Sequence, residues 1–196
     1  MKKGTDEPDR IVQPIAMPDF ALAFLVQSRT YLKGEYMPRI EKALAALSED
    51  DFWWRPNDAS NSAGNIVLHL AGNIRQWIVH GLGGAEDVRE REKEFAAKGG
   101  VSKAEALALL HASVDDACAV LEQMDEDGLA ASYTPQAHEV TGLEAIYHVI
   151  EHFAMHTGQI IWIAKARSGE SLGFYAEKPG SLATLMWTPT PDGPAS

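Results

Sequence analysis

Three histidines recur at four-residue spacing in the last third of the chain: His148, His152 and His156. On an α-helix, residues i and i+4 share a face and lie about 6 Å apart along the axis, so two such imidazoles can bind one metal ion. The outer pair would be about 12 Å apart, whereas metal–imidazole bonds are about 2 Å long. The spacing therefore predicts two ligands on this helix and a third ligand from elsewhere.

The predicted helix places these histidines, together with Gln159, in a polar strip between two apolar sectors. The broad sector consists of Leu143, Ile146, Val149, Ile150, Phe153, Ile160 and Ile161, and the smaller one of Met155 and Trp162. A polar strip with apolar neighbours on both sides is typical of an interior position. Buried polar side chains need partners, so this strip is expected to bind something.

The third ligand is predicted on an earlier helix over residues 62–80. His69 lies in the middle of that helix at the margin of its apolar face, whereas His80 lies at its end. The proposed metal site is therefore His69 with His152 and His156. Three neutral imidazoles and one open position are typical of a catalytic metal centre. Zinc is the expected metal, with nickel, iron and manganese as alternatives, because histidine binds several divalent ions.

His148 and Gln159 are not expected to bind the metal. They are expected to contact the ligating histidines and so fix the orientation of those rings. His148 remains the first alternative if His156 is not a ligand. A His-x-x-x-His pair on a helix also occurs among ordinary core or surface histidines, which is the competing structural interpretation. Phe153 stands where a zinc protease of the His-Glu-x-x-His type would carry its glutamate, so that class is disfavoured.

Other chemically suggestive residues are given structural interpretations. Cys118 has acidic neighbours, which raise a thiol pKa, so we expect it to pack in the core. His111 borders an apolar helix face and His138 lies in a predicted loop, and neither is assigned a function. The run Trp53–Pro56 is interpreted as an aromatic plug at one end of the fold, with a substrate platform as the alternative.

The elements that must position these residues form an all-α pattern. Four helices are predicted, over residues 19–47, 62–80, 103–124 and 142–167. Pro38 should kink or split the first helix after Met37. Capping boxes that begin at Ser102 and Thr141 mark the starts of the third and fourth helices.

This pattern predicts a four-helix bundle with a long crossover between its second and third helices. A short helix around residues 87–98 is expected within the crossover. The domain is assigned to residues 17–168, with a flexible N-terminal segment at 1–16. Residues 169–196 are rich in Gly, Pro and Thr and are predicted to form an irregular C-terminal segment.

Composition narrows the possible partners. Seventeen basic and 28 acidic residues among 196 give a formal net charge of −11, which disfavours binding to nucleic acids and to anionic membranes. No run approaches the roughly 20 apolar residues of a membrane span. The single cysteine excludes an internal disulfide and favours a reducing compartment, so a cytoplasmic location is expected.

Three segments carry a resemblance to a known family. They are Asn61–Asn73, Glu151–Ile160 and Trp53–Pro56. Together they resemble the DinB-like superfamily, also called DinB/YfiT-like metalloenzymes, over roughly residues 20–168. The resemblance implies a four-helix bundle, usually homodimeric, with a three-histidine metal site at one end. Its first ligand lies on the second helix and the others on the last, which corresponds here to His69, His152 and His156.

The resemblance also implies a reaction class. Characterised relatives include thiol transferases that use bacillithiol, mycothiol or glutathione, and a mycothiol-dependent maleylpyruvate isomerase. In these proteins the metal activates a small thiol for attack on an electrophile. We therefore expect a metal-dependent enzyme that transfers a small thiol to an electrophilic small molecule. A metal-dependent hydrolase and a non-catalytic metal- or small-ligand-binding bundle remain as alternatives.

Overall fold

Four long helical segments form a bundle in the computed structural model of the protein, which describes residues 19–176 and 184–185. In chain order, the α-helices are α1 Phe20–Thr30, α2 Met37–Ala45, α3 Glu49–Phe52, α4 Ala63–Ile74, α5 Arg91–Ala96, α6 Lys103–Glu122, α7 Glu126–Ala130 and α8 Gly142–Ser168. π-Helical turns over Tyr31–Tyr36 and Arg75–His80 extend α1 and α4, respectively, and a 3₁₀ turn covers Pro135–Ala137. The predicted all-α four-helix bundle with a long crossover is confirmed.

Two short antiparallel strand pairs accompany the helices. Strand β1 (Ser132–Tyr133) pairs with β2 (Val140–Thr141) directly before α8. Strand β3 (Tyr175–Ala176) pairs with β4 (Thr184–Leu185) beyond it. No strand was predicted, because two residues are too few to display the alternating pattern of a strand.

The helix starts follow from local side-chain hydrogen bonds. The Ser102 and Thr141 side chains accept from the backbone N–H three residues later, and the glutamates at those positions bond back, so both predicted capping boxes are present. Ser62 and Asn65 form a third such box at α4. Helix α8 ends at Gly169, whose φ of 71° is a left-handed conformation that glycine adopts without strain.

The predicted kink or split of the first helix after Met37 is wrong in position, because α2 runs from Met37 through Pro38 to Ala45 without interruption. The irregularity lies before Met37, as the π-helical turn over Tyr31–Tyr36, after which α2 begins. The Met37 N–H bonds to the Leu32 carbonyl, five residues back. A π turn changes the local hydrogen-bond register, which accommodates a proline that has no N–H to donate.

The core lies where α4 packs against α6 and α8, and α2 against α8. Ile40, Leu70, Leu110 and Phe153 bring one fully buried side chain each from these four helices. The apolar faces of these helices pack mainly against one another. The polar strip of α8 therefore runs along the margin of the core, beside α4.

The crossover between α4 and α6 folds back over α4. Its short helix spans Arg91–Ala96, which is shorter than the predicted range of 87–98. The Asn65 amide donates to the backbone carbonyls of Glu94 and Ala97, both at 2.8 Å. A side chain at the start of α4 thus anchors the crossover against the bundle.

The chain ends are described in part. The predicted N-terminal segment, 1–16, lies outside the described residues. Of the predicted C-terminal segment, the start packs on the bundle, with Leu172 and Phe174 buried. The Lys42 ammonium there donates to the Gly173 carbonyl at 2.7 Å. None of the helices within the described ranges combines the length and apolar character that crossing a membrane requires.

Candidate metal centre

Three histidines from two helices meet beside the core. His69 comes from the middle of α4, and His152 and His156 come from successive turns of α8. One ring nitrogen from each of the three lies within 4.8 Å of the other two. His69 and His156 are buried, at 5% and 8% exposed, and His152 is partly buried. The structure therefore brings together the three side chains that the sequence analysis grouped.

The donor set suits a divalent transition ion. Nitrogens bound to one tetrahedral zinc at 2.0–2.1 Å are separated by about 3.3 Å. The Nε2 atoms of His69 and His152 lie 2.8 Å apart, so an increase of about half an ångström in this distance would accommodate an ion. Among the described residues, no other His, Cys, Asp or Glu joins this cluster. The set is therefore three imidazoles without a fourth protein ligand.

The electrostatics of the cluster favour the neutral form of the two α8 imidazoles, His152 and His156. Burial, followed by the neighbouring His156 and His69 rings, lowers the pKa of His152 to about 3. Burial also lowers the pKa of His156, although its hydrogen bond to Gln159 opposes the shift. A neutral imidazole keeps a lone pair for a metal, whereas an imidazolium does not. The site is thus ready to bind a cation near neutral pH.

The outward nitrogen of His69 meets a charged pair from the crossover. His69 Nδ1 lies 3.0 Å from Glu94 Oε2. Arg89 donates to both oxygens of that carboxylate, from Nε at 2.7 Å and from Nη2 at 2.8 Å. Burial raises the Glu94 pKa, but the hydrogen bonds from Arg89 and His69 outweigh it, so the net shift is downward. Glu94 is therefore a carboxylate at neutral pH.

Gln159 contacts the cluster directly. The His156 Nδ1 lies 2.7 Å from Gln159 Oε1, and because an amide oxygen only accepts, Nδ1 carries the proton. This leaves Nε2 of His156 as the nitrogen with a free lone pair. The Gln159 residue itself is exposed, whereas the sequence placed the strip in the interior. The difference arises because the strip lies at the edge of the core rather than within it.

His148 lies one turn away from the cluster and contacts it through ring stacking. Its ring centroid is 5.3 Å from that of His152 and 4.0 Å from that of Trp77. Burial lowers its pKa, with a smaller opposing effect of Glu151. Two buried polar atoms belong to the second helical segment, Asn73 Oδ1 on α4 and Trp77 Nε1 on the π-helical turn that follows it. Neither has a hydrogen-bond partner among the described residues.

The remaining candidates lie apart from the cluster. His80 contacts the Ala85 carbonyl at the end of the second helical segment, and His111 pairs with Glu41 on the surface. Cys118 is buried, and burial is the main cause that raises its thiol pKa to about 11. The acidic neighbours, Asp115 foremost, raise the Cys118 pKa less than burial does, although the sequence predicted them as the cause.

The Trp53 side chain fits the interpretation as a plug. Its indole donates to the Val101 carbonyl at 3.1 Å, which joins the end of the first helical segment to the end of the crossover. A Cβ at Gly64 would lie 2.8 Å from the Trp53 ring, so glycine at this position allows the close packing of the ring on α4.

Two functionally placed residues, Arg89 and Glu94, were missed in the sequence. From the sequence, the charged residues of the crossover predict only a short helix around residues 87–98. Their one detectable signal is the Arg-x-x-x-x-Glu spacing, which is common on solvated helices. Nothing in that spacing indicates that both side chains turn inward toward His69.

Two solved structures share this architecture. YjoA, a DinB-like protein from Bacillus subtilis, is 19% identical over 74% of this chain and 94% of that chain, with a TM-score of 0.56. A conserved protein from Enterococcus faecalis is 20% identical over 79% of this chain and all of that chain, with a TM-score of 0.58. At these identities the likeness is one of fold. No curated protein matches the sequence.

This chain and these structural relatives share one class of fold, the DinB-like helical bundle, as the resemblance implied. Within that class, the chain belongs to the DinB-like family described as proteins of unknown function, DUF1572, which matches residues 19–174.

Proposed function

We propose that the protein is a metal-dependent enzyme that activates a small thiol, or water, for transfer to an electrophilic small molecule. His69, His152 and His156 would hold a divalent ion, for which zinc is the proposed identity. When bound, such an ion lowers the pKa of a coordinated thiol or water, so that a nucleophile exists near neutral pH. A thiol cosubstrate is best supplied in a reducing compartment, which agrees with the cytoplasmic expectation.

One observation carries the proposal: three imidazoles converge without a fourth protein ligand among the described residues. A structural zinc site is usually closed by four protein ligands, whereas a catalytic site keeps one position for water or substrate. The partly buried His152 lies on the more accessible side of the cluster. This arrangement favours catalysis over a purely stabilising, non-catalytic metal site.

The chain's own residues have assignable parts in this proposal. Gln159 accepts from His156 Nδ1 and thereby directs Nε2 of that ring into the cluster. His148 stacks beside His152 and limits its ring rotation. The Trp77 ring stacks on the His148 ring, with 4.0 Å between their centroids, and so holds His148 in place.

The first test is metal content after purification without an affinity tag. We expect about one divalent ion per chain in the wild type and a large loss in His69→Ala and His152→Ala, because each removes one of three ligands. His111→Ala is the matched control, since that histidine lies on the surface against Glu41. Equal metal content in all four proteins would refute the site.

The second test separates thiol transfer from hydrolysis. An electrophilic substrate is incubated with the metal-loaded protein, with and without bacillithiol, mycothiol or glutathione. Turnover that requires a thiol supports the transferase, and turnover in water alone supports the hydrolase. Metal binding without either activity, across electrophile classes, would favour the non-catalytic alternative.

We also propose that the protein is a homodimer, associated through α8. Four large apolar side chains are exposed on that helix: Leu143, Tyr147, Met155 and Trp162. Their positions fall within about a third of the helix circumference at 100° per residue. Several large apolar side chains exposed on one side of a helix favour an interaction site there.

A further inference from the structure

The charged pair on the crossover lies against the nitrogen of His69 that faces away from the cluster. We propose that Glu94 is a positioning residue of the metal centre. It holds the proton of His69 on Nδ1 and so directs Nε2 at the ion, while Arg89 fixes the carboxylate and Gly72 provides the space. The inference rests on the proposed metal site, whose ligands it concerns.

The proton position follows from the contacts around His69 Nδ1. This nitrogen is 3.0 Å from Glu94 Oε2 and 3.1 Å from Arg89 Nη2, so it could donate to the first or accept from the second. An unprotonated Nδ1 would place its lone pair against a carboxylate oxygen, which is repulsive. Arg89 Nη2 already donates to that same oxygen at 2.8 Å. A proton on Nδ1 lets His69 donate to Glu94 Oε2 while Arg89 Nη2 keeps its bond to the same oxygen, and a carboxylate that accepts from a ligating histidine is a common arrangement in metal sites.

The Arg89 guanidinium is fixed by hydrogen bonds from all three of its nitrogen atoms. Its Nε and Nη2 atoms bind the two carboxylate oxygens, which is the bidentate geometry that fixes a carboxylate in one orientation. Its Nη1 donates to Gln76 Oε1 at 2.9 Å, and Gln76 donates to Asp87 at 2.7 Å. The Arg89 side chain is only 3% exposed. A chain of polar contacts thus runs from the surface of the crossover to His69.

Gly72 makes this arrangement possible. A Cβ at this position would lie 2.0 Å from Glu94 Oε1 and 2.9 Å from Arg89 Nε. Any other residue would therefore push the pair away from α4. Gly72 lies on the same helix as His69, one turn later, so the glycine opens the space that the carboxylate needs. The requirement is steric, because Gly72 has ordinary helical backbone.

The first experiment measures zinc affinity by competition with a chromogenic chelator near neutral pH. Glu94→Ala is expected to weaken zinc binding by about 10- to 100-fold, the usual effect of losing a partner behind a ligand. Glu94→Gln keeps an acceptor oxygen for His69 and should recover part of the affinity. Gly72→Ala should weaken binding like Glu94→Ala. Glu90→Gln is the matched control, because that carboxylate pairs with Lys93 on the surface of the same segment.

The second experiment reads the His69 tautomer in the metal-free protein by long-range ¹H–¹⁵N correlation of its ring. The wild type should carry the proton on Nδ1, and Glu94→Ala should lose that preference while its circular dichroism remains helical. A wild-type proton on Nε2, or zinc affinity unchanged in Glu94→Ala, would overturn the positioning role. If the wild type binds no zinc, the proposed function fails, and the tautomer still tests the role of Glu94.

Discussion

At the residue scale, the main unfavourable free energy of the site comes from placing three imidazoles close together beside an apolar core. Each ring is desolvated, and each lies close to other rings that would repel it if both were charged. Within the part of the chain that the structure describes, Glu94 is the one acid hydrogen-bonded to a ring of the cluster, that of His69, and it is already paired with Arg89. The cluster can therefore accept a metal cation but tolerates protons poorly.

This imbalance predicts acid sensitivity of the metal-free protein. The His152 pKa is about 3 in the folded state, against 6.5 for an unperturbed histidine. Between these values the unfolded chain binds a proton that the folded chain does not, so stability falls as pH decreases through this range. We expect the urea midpoint of unfolding to drop between about pH 7 and pH 4.5, and to drop less in His152→Gln.

His111→Gln serves as the comparison, because it removes an exposed histidine that pairs with Glu41 at the surface. Its midpoint should follow the wild-type pH dependence. An identical slope in the wild type and His152→Gln would show that protonation of the cluster does not limit folding. Bound zinc should reduce the slope in the wild type until protons displace the metal.

The sequence predicted the histidine cluster, but it did not predict the Glu94 carboxylate that contacts His69. The i, i+4 spacing fixes the relation of His152 to His156, and the margin of an amphipathic helix singles out His69. The partnership of His69 with Glu94 depends on how the crossover lies on α4, which no periodicity encodes. That placement is set by Asn65 and by the space at Gly72, both of which are visible only in three dimensions.

At the element scale, α8 carries most of the site, and its first turn is fixed by one capping box. Thr141 accepts from the Glu144 N–H, and Glu144 bonds back to the Thr141 N–H and hydroxyl. These contacts satisfy two of the backbone groups that a helix leaves open at its start. The predicted start of α8 was therefore accurate, because the signal is local in sequence.

Thr141→Ala should destabilise the protein by about 1 kcal/mol, because the alanine leaves the Glu144 N–H without its acceptor. The midpoint of urea denaturation at fixed pH measures the change. Thr134→Ala is the matched control, since Thr134 precedes the 3₁₀ turn without a side-chain cap hydrogen bond. Equal midpoints for both variants would mean that the box adds nothing to stability. Metal affinity should be preserved in both, because the cluster lies more than two turns further along α8.

Non-local packing explains what sequence could not supply at this scale. Pro38 predicted a break after Met37, but the structure has a π turn before Met37, and α2, which contains Pro38, packs against α8 without interruption. The crossover helix was predicted too long, because its charged residues read as one solvated face. In the structure, Glu94 is buried at the point where that helix meets α4.

At the scale of the whole molecule, α8 has two faces with different roles. Its inner face carries Phe153 and Ile160 in the core and the histidines at the core's edge. Its outer face exposes large apolar side chains that make no contribution to the monomer's interior. This difference between its two faces favours an α8 that carries the metal centre on one face and forms an interface between two copies with the other. If two copies associate through it, the environment of the site changes with assembly.

Trp162→Glu should dissociate the proposed homodimer. Trp162 is 60% exposed on α8, and a carboxylate there would have to be buried without a partner in a symmetric interface, where it would also face its own copy. Sedimentation equilibrium at micromolar concentration should give a dimer for the wild type and a monomer for the variant. Leu109→Glu is the control, because Leu109 is a similarly exposed apolar residue on α6. A monomeric wild type would remove the dimer proposal, and dissociation by both variants would show that the interface is not specific to α8.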